Sequence, residues 1–411
     1  MKYILIIGDG MADNPVPVLQ DKTPLEYLAC PAIDALASAG EVGNVKNCPD
    51  GLPPGSDTAI LSIFGCDPNV CYTGRAPLEA AAQGIALRPG DAAYRCNMVS
   101  LTETDGIPFA AQTILSHSAG SIDGAESDEL VAALFADPEF ARLAERAGMR
   151  VYPAHSFRHM AVQSGASIDG VTLAPPHNYL GSAITDILPQ GANPNAAVLS
   201  ELMSASYAFL SRHPVNLKRR ADGKLPANCV WFWAEGTAVE LPDFTAKYGR
   251  TGGVISAVPL CHGIASLTGL DRVFVDGATG ELDTNYEGKV SACVETLKTR
   301  DFAAIHVEAP DECTHNGDLP GKLEAIRRLD SRVVAPLVGR LRADGTDFRL
   351  LLLSDHKTLT STRGHDGDPV PYLLYDSRRD NKTGKKYTET DGEAGAAVPE
   401  GTALMGMLFD A

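Results

Sequence analysis

Six residues stand immediately after apolar runs and are of types that bind metal. Asp9 follows Tyr3 to Ile7. Asp311 and His315 follow Phe302 to Val307. Asp355 and His356 follow Arg349 to Leu353, and His365 comes soon after, in Arg363-Gly-His-Asp-Gly-Asp-Pro369. In an open α/β sheet, sites form outside the carboxyl ends of strands. A single Asp there serves equally as a turn former or a helix cap; it is the recurrence that points to metal. Three Asp and three His exceed the four ligands of a structural zinc, which also prefers thiolate. The set suits a pair of divalent cations. Asp311 and His315 share a face of a helical turn and can hold one ion. Adjacent Asp355 and His356 can serve two ions, or one if the backbone turns. His306, inside its apolar run, is read as a structural or supporting residue.

Ser56 is the candidate nucleophile. It lies in Pro54-Gly-Ser-Asp-Thr58, at the start of a helical pattern where free N–H groups favour anions. A metal contact would lower its hydroxyl pKa. The alternative is that Ser56 only caps the helix. Basic residues include Arg75, His117, Arg158, His159, Arg212, His213, the Lys218 to Arg220 group and Lys289. Most such residues are solvated charges. Arg158 with His159 is preferred as an anion contact, because a strand-like segment precedes it. Residues 228–236 read as domain core.

These side chains need a sheet to hold them. Tyr3 to Ile7, Val254 to Val258, Phe302 to Val307 and Arg349 to Leu353 read as buried strands. Helical patterns cover Pro31 to Ala39, Gly55 to Phe64, Leu78 to Ala82 and Lys289 to Leu297. The texture changes between Ala86 and Ala246, with shorter apolar runs and helical patterns at Ala132 to Gly148 and Ala196 to Arg212. A second α+β domain at 86–246 is therefore expected, inserted in a loop of a metalloenzyme domain formed by 1–85 and 247–411. Residues 376–399 read as a surface loop.

The chain has 411 residues, enough for such an arrangement, and a formal net charge of -17. That balance excludes the broad basic surface of a nucleic-acid binder and disfavours an anionic membrane surface. No apolar run reaches the roughly 18 residues of a membrane span. The N-terminal apolar run is too short for a signal peptide, so a cytoplasmic protein is expected. Nine scattered cysteines read as buried thiols rather than a disulfide framework.

A series of ordered motifs resembles one family. They are IIGDGMAD at 6–13, PGSDTA at 54–59, YTGRAPLEA at 72–80 and RCN at 95–97. YPAHSFRHMAV at 152–162, HPVN at 213–216, ATGELDTNYEGK at 278–289, HVEAPDECTHNGD at 306–318 and SDHKT at 354–358 follow. The chain resembles the archaeal-type 2,3-bisphosphoglycerate-independent phosphoglycerate mutases of the alkaline phosphatase superfamily. The resemblance implies an α/β, alkaline-phosphatase-like three-layer core with an inserted α+β substrate domain. It implies one metal on Asp9, Ser56, Asp355 and His356 and another on Asp311, His315 and His365. Manganese is implied first, with zinc, cobalt or magnesium as alternatives, and no 2,3-bisphosphoglycerate. Ser56 matches the serine that becomes phosphorylated, and His117, Arg158, His159 and Lys289 match contributors to a phosphoglycerate site. The segments at Ala154-His155 and Thr362 to His365 depart from the family pattern without removing a metal ligand. A metal-dependent phosphomonoesterase, or another phosphotransferase of the superfamily, is the alternative. A proposed homoserine kinase is a further label in the family, but no GxxxxGK[ST] loop is present. A non-enzymatic binding module would have no use for a nucleophile among six ligands.

Overall fold

The computed structural model describes residues 1–410. The chain forms two compact units, Met1–Tyr72 with Glu240–Ala411, and Thr73–Val239.

The first unit is built on an eight-stranded sheet. Its order is Ala397–Val398, Glu41–Val45, Val370–Asp376, Phe348–Leu353, Lys2–Gly8, Phe302–Val307, Gly252–Ile255 and Asp271–Val273. The last five run parallel, while Val370–Asp376 is antiparallel to both its neighbours. The central strands lack polar alternation because both faces are covered. Ile4, Ile6, Ile305, Leu350 and Leu352 pack with Ile33, Leu36, Val290, Leu297 and Leu337 of the helices on one face. On the other, Tyr3 meets Phe409 edge-on at 5.0 Å, and Phe302 stacks on Phe244 at 5.2 Å. The result is helix, sheet and helix, the three-layer α/β class expected.

The second unit is an antiparallel five-stranded sheet. Its long central strand Asp91–Leu101, buried throughout, pairs with Arg158–Ser164 and Cys229–Thr237. Tyr94, Cys96 and Met98 share a core with Leu130, Leu134, Leu199, Leu202 and Trp231.

Several expected boundaries move. The units divide at 72/73 and 239/240 rather than at 86 and 246. The reason is the helix Arg75–Ala82, whose Ala76 and Ala80 pack on Ala93 and Met160 of the second unit's sheet. That helix begins at Arg75, not Leu78, and the Val254 strand ends at Ile255. The helix expected over Ala132 to Gly148 is two helices, Gly124–Ala136 and Pro138–Arg146. Pro138 cannot continue the first, and Asp137 caps the second through the Glu139 and Phe140 N–H groups. Residues 376–399 are not simply a surface loop, since they hold the helix Glu389–Glu393 and bury Tyr387 and Glu389. All nine cysteines are buried free thiols. Among the described residues, no helix is long and apolar enough to cross a membrane.

Candidate metal centre

The first unit gathers the metal-binding types at the carboxyl ends of its three central parallel strands. Asp9 follows Lys2–Gly8, and its neighbour Gly10 has φ +59°. A Cβ at Gly10 would lie 2.3 Å from Thr358 Oγ1 and 2.6 Å from Asp311 Oδ1, so the turn requires glycine. Asp311 and His315 lie on the helix Ala309–His315 after Phe302–Val307. Asp355 and His356 follow Phe348–Leu353, and a hairpin of Lys357–Leu359 with Gly364–Asp366 returns His365. Bridges from Met11 and Ala12 to Lys357 bind the first loop to the third.

Two groups result. Asp9, Asp355 and His356 offer ligand atoms within 4.8 Å of one another, as do Asp311, His356 and His365. His315 Nε2 lies 3.1 Å from Asp311 Oδ2 and 2.9 Å from His365 Nε2. His356 thus faces both groups, where the family resemblance implies one. Ser56 is the first residue of the helix Ser56–Ile63, and Gly55 holds the cap position. Its side chain does not cap. Ser56 Oγ instead lies 3.1 Å from His356 Nε2 and 3.3 Å from Asp9 Oδ2.

The electrostatics of the centre call for cations. Burial, then the charges of Asp355, Asp311 and Glu308, push the Asp9 carboxyl well above its usual range. Asp355 Oδ1 accepts from the Gly10 N–H at 3.1 Å, but its Oδ2 is buried with no hydrogen-bond partner. Burial also opposes ionisation of Asp311, yet hydrogen bonds from His315 and His365 hold it well below the usual range. The same bond to Asp311 raises His315 to about 9. Carboxylate oxygens and imidazole nitrogens are a donor set that fits divalent ions. Supporting contacts set the rings: His315 Nδ1 donates to the Arg363 carbonyl at 2.7 Å, which leaves its Nε2 facing inward. His306, read as a supporting residue, places Nε2 2.9 Å from Asp9 Oδ2.

Two of the residues expected to contact phosphoglycerate are fully buried and bonded within the protein. Lys289 is fully buried in the first unit and donates to the His306 carbonyl at 2.8 Å. His159 is fully buried in the second unit, between Ser127 Oγ at 2.9 Å and the Ala154 N–H at 3.2 Å. It neighbours Arg158 on a strand, so the two point to opposite faces.

The second unit does hold a basic cluster. Arg158 lies over Trp233 and Phe157, and Arg95 over Trp233 at 4.7 Å. Arg95 and Arg75 both bind Glu79, at 2.8 and 2.9 Å. Burial raises the Glu79 pKa, but the two guanidiniums outweigh it and hold the carboxyl down at about 2. Burial and then Arg95 lower Arg158 to about 10. His117 stands 6.0 Å from His177, ring to ring, and His177 5.2 Å from Trp233. His117 Nδ1 and Arg158 Nε are buried without hydrogen-bond partners. Arg95 and His177 were missed in the sequence, although RCN had been singled out as a motif.

The chain has clear relatives among known proteins. The 2,3-bisphosphoglycerate-independent phosphoglycerate mutase family profile matches residues 37–216. A solved Pyrococcus horikoshii protein superposes with a TM-score of 0.78 at 28% identity, covering 100% of this chain and 97% of that one. A cofactor-independent phosphoglycerate mutase from Thermoplasma acidophilum superposes with a TM-score of 0.64 at 27% identity, covering 100% and 99%. A 2,3-bisphosphoglycerate-independent phosphoglycerate mutase of Methanosarcina acetivorans is 41% identical over 99% of each chain. Its counterpart in Methanosarcina mazei is 45% identical over 91% of this chain and 90% of its own. With this identity along nearly its whole length, the chain belongs to the 2,3-bisphosphoglycerate-independent phosphoglycerate mutase family.

Proposed function

We propose that the chain interconverts 3-phosphoglycerate and 2-phosphoglycerate through a phosphoserine at Ser56, without 2,3-bisphosphoglycerate. The observation that carries this reading is the Ser56 hydroxyl itself. It leads its helix without capping it and sits 3.1 Å from His356 Nε2.

Asp9, Ser56, Asp355 and His356 would hold one divalent ion, and Asp311, His315 and His365 the other, with manganese the first choice. When bound, such ions supply positive charge to phosphate oxygens and lower the pKa of a ligating hydroxyl. Ser56 Oγ attacks the phosphorus of 3-phosphoglycerate in line, and the bond from phosphorus to the substrate's 3-oxygen breaks. The Ser56 proton has an acceptor in Asp9, whose two oxygens lie 3.4 and 3.3 Å away, so one stays free if the other holds an ion. The N–H groups of Ser56 and Asp57, ahead of the paired Thr58 and Ala59 N–H groups, would favour phosphoryl oxygens at the start of the helix. Arg158 and His117, with Arg95 and His177 beside them in the second unit, are the proposed holders of a carboxylate, and glycerate stays bound while it reorients. Its 2-hydroxyl then attacks phosphoserine and restores Ser56. His117 is the candidate for proton exchange with the glycerate oxygens, since burial followed by the Arg158 charge lowers its pKa and keeps a neutral ring available.

The test is incubation with 3-phosphoglycerate and manganese in the absence of 2,3-bisphosphoglycerate. Formation of 2-phosphoglycerate is expected. Glycerate with inorganic phosphate would instead identify a phosphomonoesterase, and no metal-dependent turnover would overturn both readings.

A further inference from the structure

Thr358 touches every member of the Asp311, His356 and His365 group. It is fully buried. Its hydroxyl donates to Asp311 Oδ1 at 2.5 Å and lies 3.2 Å from His356 Nδ1. Its backbone faces His365 across the hairpin, in direct register. A hydroxyl has one proton, and an ionised carboxylate can only accept. The proton is therefore on the bond to Asp311, and the Thr358 oxygen accepts from Nδ1–H of His356. The Lys357 carbonyl, another pure acceptor, lies 3.2 Å from the same nitrogen. Both contacts put the His356 proton on Nδ1 and leave the Nε2 lone pair facing Ser56 and the carboxylates.

Thr358 is itself held on three sides. Its N–H donates to the Ala12 carbonyl at 3.1 Å. Its carbonyl accepts from the buried Lys322 ammonium at 2.6 Å. Lys322 also binds Asp13 at 2.9 Å, and Asp13 accepts from the Thr360 hydroxyl at 2.6 Å. Gly10 leaves the space that the hydroxyl fills.

We infer that Thr358 is a positioning residue which fixes the orientation of Asp311 and the tautomer of His356, and so sets the affinity of the centre for divalent cations. This rests on the metal-centre reading above. A threonine present only for hairpin packing would be replaceable by valine, which keeps the branched shape and loses the hydroxyl.

Thr358→Val and Thr358→Ser separate the two roles. Each is stripped of metal with a chelator, checked for fold by circular dichroism, and titrated with manganese by calorimetry and electron paramagnetic resonance. Thr358→Val is expected to lose roughly 10- to 100-fold in manganese affinity, the usual effect of removing a ligand-orienting partner. Thr358→Ser is expected to bind as the unsubstituted chain does. Unchanged affinity in folded Thr358→Val would overturn the inference. An unsubstituted chain that takes up no manganese would overturn the metal-centre reading, a failure seen before any variant is made. Should Thr358→Val not fold, nitrogen-15 spectra of the histidines in the unsubstituted, metal-free protein decide. The Nδ1–H tautomer of His356 is expected, and the Nε2–H tautomer would overturn the inference.

Discussion

The Lys289 ammonium donates to the backbone carbonyl of His306 at 2.8 Å, and the His306 ring in turn meets Asp9 at 2.9 Å. Lys289 therefore supports the end of a strand from beneath the centre. Burial lowers its ammonium pKa to about 8. Lys289→Met is expected to cost about 1–3 kcal/mol of stability, because it leaves a buried carbonyl unpaired. KM for phosphoglycerate should not change. Urea unfolding and steady-state kinetics together check this. A large rise in KM at unchanged stability would show that Lys289 reaches the substrate.

Ser56→Ala removes the nucleophile and leaves the other ligands in place. It should fold, retain manganese and lose at least about 1,000-fold in kcat. Acid-quenched enzyme should yield phosphoserine from the parent chain and none from the variant. Full mutase activity in Ser56→Ala would rule out the covalent route.

Asp9 is costly to keep charged beside Asp355 and Asp311 unless cations are present. Because its folded pKa is raised, Asp9 contributes against folding as pH rises from the ordinary carboxylate value of 3.8, and the penalty is complete above the folded value. In chelated protein at neutral pH, Asp9→Asn should raise the melting temperature by roughly 2–4 °C, the equivalent of about 1 kcal/mol. With saturating manganese the order should reverse, since only the parent chain gains the full binding energy. Thermal melts of both proteins, with chelator and with metal, test the crossover. The same order under both conditions would contradict the charge argument.

His159 supplies a pH signature in the second unit. Burial lowers its pKa to about 4, against an ordinary value of 6.5, and Asp128 only partly offsets this. The unfolded chain therefore binds a proton at a pH where the folded chain does not. The stability from neutral His159 is complete above pH 6.5 and is lost as pH falls from there to about 4. The total is about 3 kcal/mol at 1.36 kcal/mol per pH unit. Denaturant unfolding between pH 4 and 7 measures it, and His159→Gln should flatten that part of the profile.

The legible parts of the fold were those in which one local signal decides. The central strands are unbroken apolar runs because both their faces are covered, and three of them are followed within a few residues by Asp9, Asp311 and Asp355. Ser56 was legible from its place after Pro-Gly, though only the structure shows that it contacts Asp9 and His356 instead of capping its helix. Thr358, Lys322 and Asp13 were not legible as a unit, since their partners lie more than 300 residues apart along the chain in the case of Asp13 and Lys322. Lys289 carried a neglected signal. It shares a helical stripe with Tyr286, Val290 and Cys293, all buried. His159 was misread because adjacent residues on a strand face opposite ways. The Arg75 helix was assigned to the wrong unit, because its alanines fit either core until their partners, Ala93 and Met160, are known.

The central strand of the first unit imposes an order of assembly. Lys2–Gly8 pairs on one side with Phe302–Val307 and on the other with Phe348–Leu353. As the chain leaves the ribosome, this strand has neither neighbour until Phe302–Val307 is made. Thr73–Val239 can complete its own sheet meanwhile, since all five strands lie within it. Lys2–Gly8 is left as an apolar segment with unpaired edges, the kind of surface that aggregates or recruits chaperones. Translation that pauses after the second unit would prolong that exposure.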